Sequence, residues 1–175
     1  MTKDVMDAIR ERRSIRHFAP DSVDEFTVGR ILEAGASAPS AGNIQPWTFY
    51  AVFRQDIKDR LSKAAYAQES LISAPVVIVV CALPEDTAAR YGERGRSLYC
   101  LQDTAAATQN ILLAAEAFGL GSCWVGAFEE TAVAAALGCA RGERPVALVP
   151  LGFSAGEKPQ PPARYDLSRT VKILH

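Results

Sequence analysis

Val76-Val77-Ile78-Val79-Val80-Cys81 is an apolar run with no polar interruption. Such a run reads as a strand buried on both faces, so helices must pack on each side of its sheet. Working outward, Trp47 to Phe53 reads as a strand, Arg144 to Gly152 as a second buried strand and Ser122 to Val125 as a short one. Asp56 to Ala67 has the apolar spacing of an amphipathic helix, with Ile57 and Leu61. Thr131 to Leu137 is a helix ended by Gly138, and Ser97 to Phe118 is the longest helix, closed by Gly119. Towards the N-terminus, Thr2 can cap a first helix with Val5, Met6 and Ile9 on one face, ending near Arg12. Ser22-Val23-Asp24-Glu25 is a capping-box sequence opening a second helix, whose apolar face is Phe26, Ile31 and Leu32 and which must stop before Pro39.

The chain has 175 residues, enough for one domain with its own core. Its 19 Lys and Arg against 20 Asp and Glu argue against a surface built for nucleic acid or anionic lipid. Cys81, Cys100, Cys123 and Cys139 form no C-x-x-C pair, and reduced, mostly buried thiols are expected. His17 and His175 cannot make a metal triad, and no Ser, His and Asp arrangement anchors a hydrolase. With no charged leader followed by an apolar core, and no apolar run near the ~20 residues that span a bilayer, a cytoplasmic protein is the expectation.

Two stretches carry chemistry. Arg12-Arg13-Ser14-Ile15-Arg16 places three fixed cations and a hydroxyl where a helix stops, suited to a phosphate or a developing anion. A helix C-terminus favours cations, which accounts for one arginine but not for the whole pattern. After one helix, Ala38-Pro39-Ser40-Ala41-Gly42-Asn43-Ile44-Gln45-Pro46-Trp47 forms a turn of small residues that lets backbone approach a flat ligand. Together they look like a flavin site. Gly119-Leu120-Gly121 only begins like a dinucleotide fingerprint: position 124 is Trp, and the segment leads from helix to strand, reversing the required order. Pro84 to Gly95 is polar, with Arg90, Glu93, Arg94 and then Arg96, and is expected to be a mobile loop over the site.

In this order, and followed by Gln102-Asp103 to Leu113, Gly119 to Phe128 and Pro161-Pro162-Ala163-Arg164, these stretches resemble the FMN-dependent nitroreductase family from about Met6 to Val171. The resemblance implies an α+β fold, a three-layer α-β-α sandwich with a mixed, mainly antiparallel central sheet, in one domain over residues 1–175. It implies a homodimer with shared sites, in which residues 153–175 form an extended arm on the partner subunit. The apolar circumference of the longest helix also asks for cover by a second subunit. The implied activity is hydride transfer from NADH or NADPH, through FMN, to a nitroaromatic, quinone or similar acceptor. Alternatives are a specialised flavin reductase such as a dehalogenase or enoyl-type reductase, or a non-catalytic FMN-binding module.

By the same resemblance, Arg12 and Ser14 hold the FMN phosphate, Arg13 supports that end, and Arg164 is a second phosphate-binding arginine. No catalytic side chain is assigned. Arg16 faces the pyrimidine edge of the ring, where a fixed cation stabilises the charge that gathers on reduction. Pro39, Ser40, Ala41 and Asn43 cover the partner's flavin. Trp124, Val125, Gly126 and Ala127 lie beside the ring with their backbone N–H groups toward it, and Gln68 reaches the ring edge. Gly126 departs from the acidic residue of many family members. Gln45, Pro46 and Trp47 read as scaffold, and Asp103 as a structural partner in its helix.

Overall fold

The structure is a computed structural model and describes residues 3–174; the cap expected at Thr2 lies outside them. Asp4 caps α1 (Val5–Glu11), accepting a hydrogen bond from the Met6 N–H at 2.8 Å. α2 (Glu25–Ala36) is capped by Asp24, which accepts from the Thr27 N–H, so the capping box expected between Ser22 and Glu25 does not form. β1 (Trp47–Val52), α3 (Gln55–Ala64), the short α4 (Glu69–Ser73) and β2 (Val76–Ala82) follow. Then come α5 (Pro84–Arg94), a π-turn over Gly95–Tyr99 and α6 (Cys100–Ala117). β3 (Gly121–Ser122), α7 (Glu130–Leu137), β4 (Arg144–Gly152) and α8 (Leu167–Thr170) complete the order.

The sheet runs β1-β2-β4-β3 with every neighbouring pair antiparallel. Among the described residues it is mixed only through one parallel bridge, Ser14 to Ser122. Every residue of β2 is buried, and its side chains divide between two cores. Val77, Val79 and Cys81 face Leu61, Leu71 and Val133, the α3–α4–α7 layer. Val76, Ile78 and Val80 face Ile31, Ile111 and Leu112, the α2–α6 layer. This is the three-layer α+β sandwich that the apolar run required.

Three expectations are corrected. Residues 84–94 are helical rather than a loop, with a break at Gly92, whose φ is 57°: Pro84 sits at the first helical position, Glu85 and Asp86 suit its dipole, and Thr87 is fully buried against the body. The π-turn then carries this helix directly into α6. Val5, Met6 and Ile9 are about half exposed, and only Ala8 of α1 is buried. Phe26 also points outward at 76% exposure, while Val28 joins Ile31 in the core. In α1 and α2 the apolar period was right for a helix, but tertiary packing chose a different stripe to cover. All four cysteines are free and the thiols of Cys81, Cys100 and Cys123 are buried, which raises those of Cys81 and Cys100 above the ordinary thiol range.

Candidate active site

α1 ends at Arg12, whose N–H bonds the Ala8 carbonyl at 3.0 Å, and the chain then turns alongside β3. The Ile15 N–H donates to the Ser122 carbonyl at 3.0 Å, and the Ile15 side chain packs over Gly121, so Ser14 and Arg16 are held out on either side of a buried residue. Gly121 therefore serves close packing, not phosphate binding. The result is a cavity of about 590 Å³ whose wall includes Arg12, Arg13, Ser14 and Arg16, closed on the far side by Pro159, Gln160, Pro161, Pro162 and Arg164.

The electrostatics of this cavity are one-sided. Arg12, Arg16 and Arg164 have no carboxylate partner among the described residues, whereas Arg10 at the rim is paired with Asp7. Arg13 donates to the carbonyls of Arg10 and Arg12 at 2.8 and 2.9 Å, satisfying the end of α1, while its Nε is buried with no partner among the described residues. Three guanidinium groups without a carboxylate partner lining one cavity, together with the orphaned Nε of Arg13, fit a dianionic phosphate. The donor set therefore suits the phosphate end of FMN.

Trp124 to Ala127 continue from the strand that bridges Ser14. The Val125 N–H and carbonyl are both used on Leu148, at 2.8 and 3.0 Å, so this amide is not free for a ligand. Gly126 and Ala127 are exposed, and their amides have no partner among the described residues. Beside them lies a strained turn. Tyr66 and Ala67 adopt left-handed φ values of 56° and 61°, costly for residues with a Cβ. The turn is secured by the Ala67 N–H on the Ser62 carbonyl and by the Ser62 hydroxyl on the Gln68 carbonyl. The Tyr66 hydroxyl donates to Glu129 at 2.6 Å, and the Glu129 N–H to the Ala64 carbonyl, so the turn before Gln68 is tied to the chain two residues beyond Ala127. Neither Tyr66 nor Glu129 carried a sequence signal, because nothing in the residue types announces a left-handed Tyr-Ala pair.

Pro39, Ser40, Ala41 and Asn43 do not line the arginine cavity of their own chain. They form a separate exposed loop with Gly42, Asn43 and Gln45 left-handed, locked from three directions. The Ser40 hydroxyl accepts from the Gln45 N–H, Arg90 of α5 donates to the Gly42 carbonyl, and Asp103 accepts from the Ala41 N–H at 3.1 Å. Asp103 thus acts outside its own helix. Burial pushes its carboxyl above the usual range, against the pull of the Ala41 N–H, and its second oxygen has no partner among the described residues. Arg96 is committed to Glu85 and Glu93, and Arg94 lies over the Tyr99 ring with its Nε on the Tyr99 hydroxyl.

A family model described as the nitroreductase family matches residues 9–70 and 62–153. The chain belongs to the nitroreductase family. A relative from Archaeoglobus fulgidus, provisionally named NADH dehydrogenase/NAD(P)H nitroreductase, is 37% identical over 86% of this chain and 85% of its own. The NADH dehydrogenase of Thermus thermophilus is 33% identical over 96% of this chain and 95% of its own. A crystal structure from Exiguobacterium sibiricum, provisionally named a nitroreductase and solved in complex with FMN, superimposes with a TM-score of 0.85 at 22% identity. It covers 99% of this chain and 100% of that one, a likeness of fold.

Proposed function

We propose that this nitroreductase-family chain is an FMN-dependent NAD(P)H oxidoreductase that works by a ping-pong scheme, with the nicotinamide donor and then a nitroaromatic, quinone or similar small acceptor using one cavity in turn. The observation that carries the reading is the convergence of Arg12, Arg13, Ser14, Arg16 and Arg164 on a single cavity with no carboxylate among the described residues to neutralise them. When bound, FMN supplies hydride acceptance and donation. The chain supplies binding and electrostatics. Arg12, Ser14 and Arg164 hold the phosphate, and Arg16 sets a positive charge beside the pyrimidine edge. Gly126 and Ala127 offer free amides to the ring, with Gln68 beside them. No side-chain acid or base is needed in this scheme.

The reading includes a homodimer in the cytoplasm, where both nicotinamides are available. Support for the dimer comes from what one chain leaves uncovered. Tyr165, Leu167, Ile173 and Leu174 on the arm are 68–92% exposed. A shallow groove lined by Val5, Ala8, Ala34, Leu113, Ala114 and Ala117 runs along α6. An arm laid on a second copy would cover such surfaces and bring the partner's Pro39–Asn43 loop to the cavity.

The test is an anaerobic visible spectrum of the FMN-loaded protein before and after NADH and then NADPH, with the oligomeric state measured by light scattering. Rapid bleaching by either donor, in a dimer, is expected. Bound flavin that neither nicotinamide bleaches would remove the reductase reading.

A further inference from the structure

Glu116, in the last turn of α6, is 3% exposed and is the point where the segment before α1 and the start of the C-terminal arm meet. Lys3 reaches its Oε1 at 2.5 Å, and Lys158 bonds the same oxygen. Lys3 also pairs with Glu11 at 2.6 Å, which, with Glu116, holds its ammonium above the ordinary lysine range. A buried carboxylate is tolerable only with such partners, and removing one leaves the others uncompensated. The cluster lies outside the arginine cavity, and the reaction scheme does not use it.

Its placement ties it to that cavity. Residues 157–174 are exposed throughout, and among the described residues their hydrogen bonds to the body of the protein all come from Lys158, to Glu116 and to the Glu11 carbonyl. Lys158 is followed at once by Pro159, Gln160, Pro161 and Pro162, the far wall of the cavity, and then by Arg164. A proline-rich segment is stiff, advancing ~3.1 Å per residue, so fixing its first residue constrains where the arginine six residues later can point. On the opposite wall, Lys3 and Glu11 bracket α1, which delivers Arg12.

We infer that Glu116 is a positioning residue for the phosphate end of the cofactor site. Through Lys158 it anchors the proline arm so that Arg164 closes the cavity, and through Lys3 it fixes the helix that ends at Arg12. The inference rests on the FMN reading above.

The test is the affinity of the full-length apoprotein for FMN and for riboflavin, which lacks the phosphate, by fluorescence titration of wild type, Glu116→Gln, Glu116→Asp and Lys158→Gln. Wild type is expected to prefer FMN. Glu116→Gln and Lys158→Gln are expected to weaken FMN about tenfold, as expected from one lost charge-assisted contact, with riboflavin unchanged and Glu116→Asp recovering part of the loss. Lys158 is surface-exposed, so its variant reports even where Glu116→Gln disturbs folding. An FMN-to-riboflavin preference in Lys158→Gln equal to that of wild type overturns the inference alone, as does an equal loss for both ligands. Wild type that binds neither ligand, or binds both equally, overturns the cofactor reading and the inference with it.

Discussion

Gly121→Ala couples the fold to the site. A Cβ built on Gly121 falls 2.8 Å from both Cβ and Cγ1 of Ile15 and 2.9 Å from its Cγ2. Contacts become ordinary at 3.4 Å, so Ile15 must retreat by about 0.6 Å. A rotamer change cannot supply this, because Cβ moves only with the backbone. That backbone includes the Ile15 N–H bonded to Ser122 and carries Ser14 and Arg16 on either side. Overpacking of this kind costs about 1–3 kcal/mol, which for a chain of this size lowers Tm by about 2–12 °C. FMN affinity should fall with it. Thermal unfolding followed by circular dichroism measures the first and fluorescence titration the second. Gly126→Ala is the control: its Cβ would meet only the Trp124 ring at 3.7 Å, and its Tm should match wild type. Wild-type Tm and wild-type FMN affinity in Gly121→Ala would refute the argument that β3 positions the arginine segment.

Further outcomes follow from the same geometry. Arg16→Ala should lower the midpoint potential of bound FMN by on the order of 20–90 mV, from an interaction of ~1–4 kcal/mol between a charge pair near the surface and a two-electron couple; an unchanged potential removes the role given to Arg16. Asp103 has its folded-state pKa raised by burial, so the folded protein holds that proton more tightly and loses stability as pH climbs from the unfolded carboxylate value through the folded one. Asp103→Asn keeps an acceptor for the Ala41 N–H and should be at least as stable as wild type at neutral pH, the difference shrinking on acidification. A neutral-pH loss in thermal melts would show that the charged carboxylate is the stabilising form. Arg96→Ala should leave the ratio of kcat/KM for NADH and NADPH unaltered, because Arg96 is spent on Glu85 and Glu93. A selective loss with NADPH would place that side chain on the donor.

The arginine cluster was legible in the chain because its chemistry is local: Arg12, Arg13, Ser14 and Arg16 are nearly contiguous, and a helix end delivers them to one place. Arg164 could be named only through resemblance, since nothing in its surroundings says where a proline-rich tail will lie. Glu116 and Asp103 were harder, because each acts on a residue far away in sequence. Lys158 and Ala41 become their partners only after folding. The strain at Tyr66 and Ala67 was invisible, since neither is a residue type that favours a left-handed backbone.

The residues from Val76 to Cys81, with β-branched side chains and no polar position, determined by themselves that a strand would be enclosed on both sides, because no register of such a strand leaves a face fit for water. Elsewhere in the chain, periodicity and turn residues located α1, α2, α3, α6 and α7 and the strands β1 and β4. Tertiary structure alone decided which stripe of α1 and α2 was covered, that residues 84–94 would be a helix packed on the body, and that Lys3 and Lys158 would meet at one buried carboxylate. Periodicity reports that a segment has an apolar side, but burial depends on what surface is offered to it, and ion pairs across a hundred residues exist only once the layers have closed.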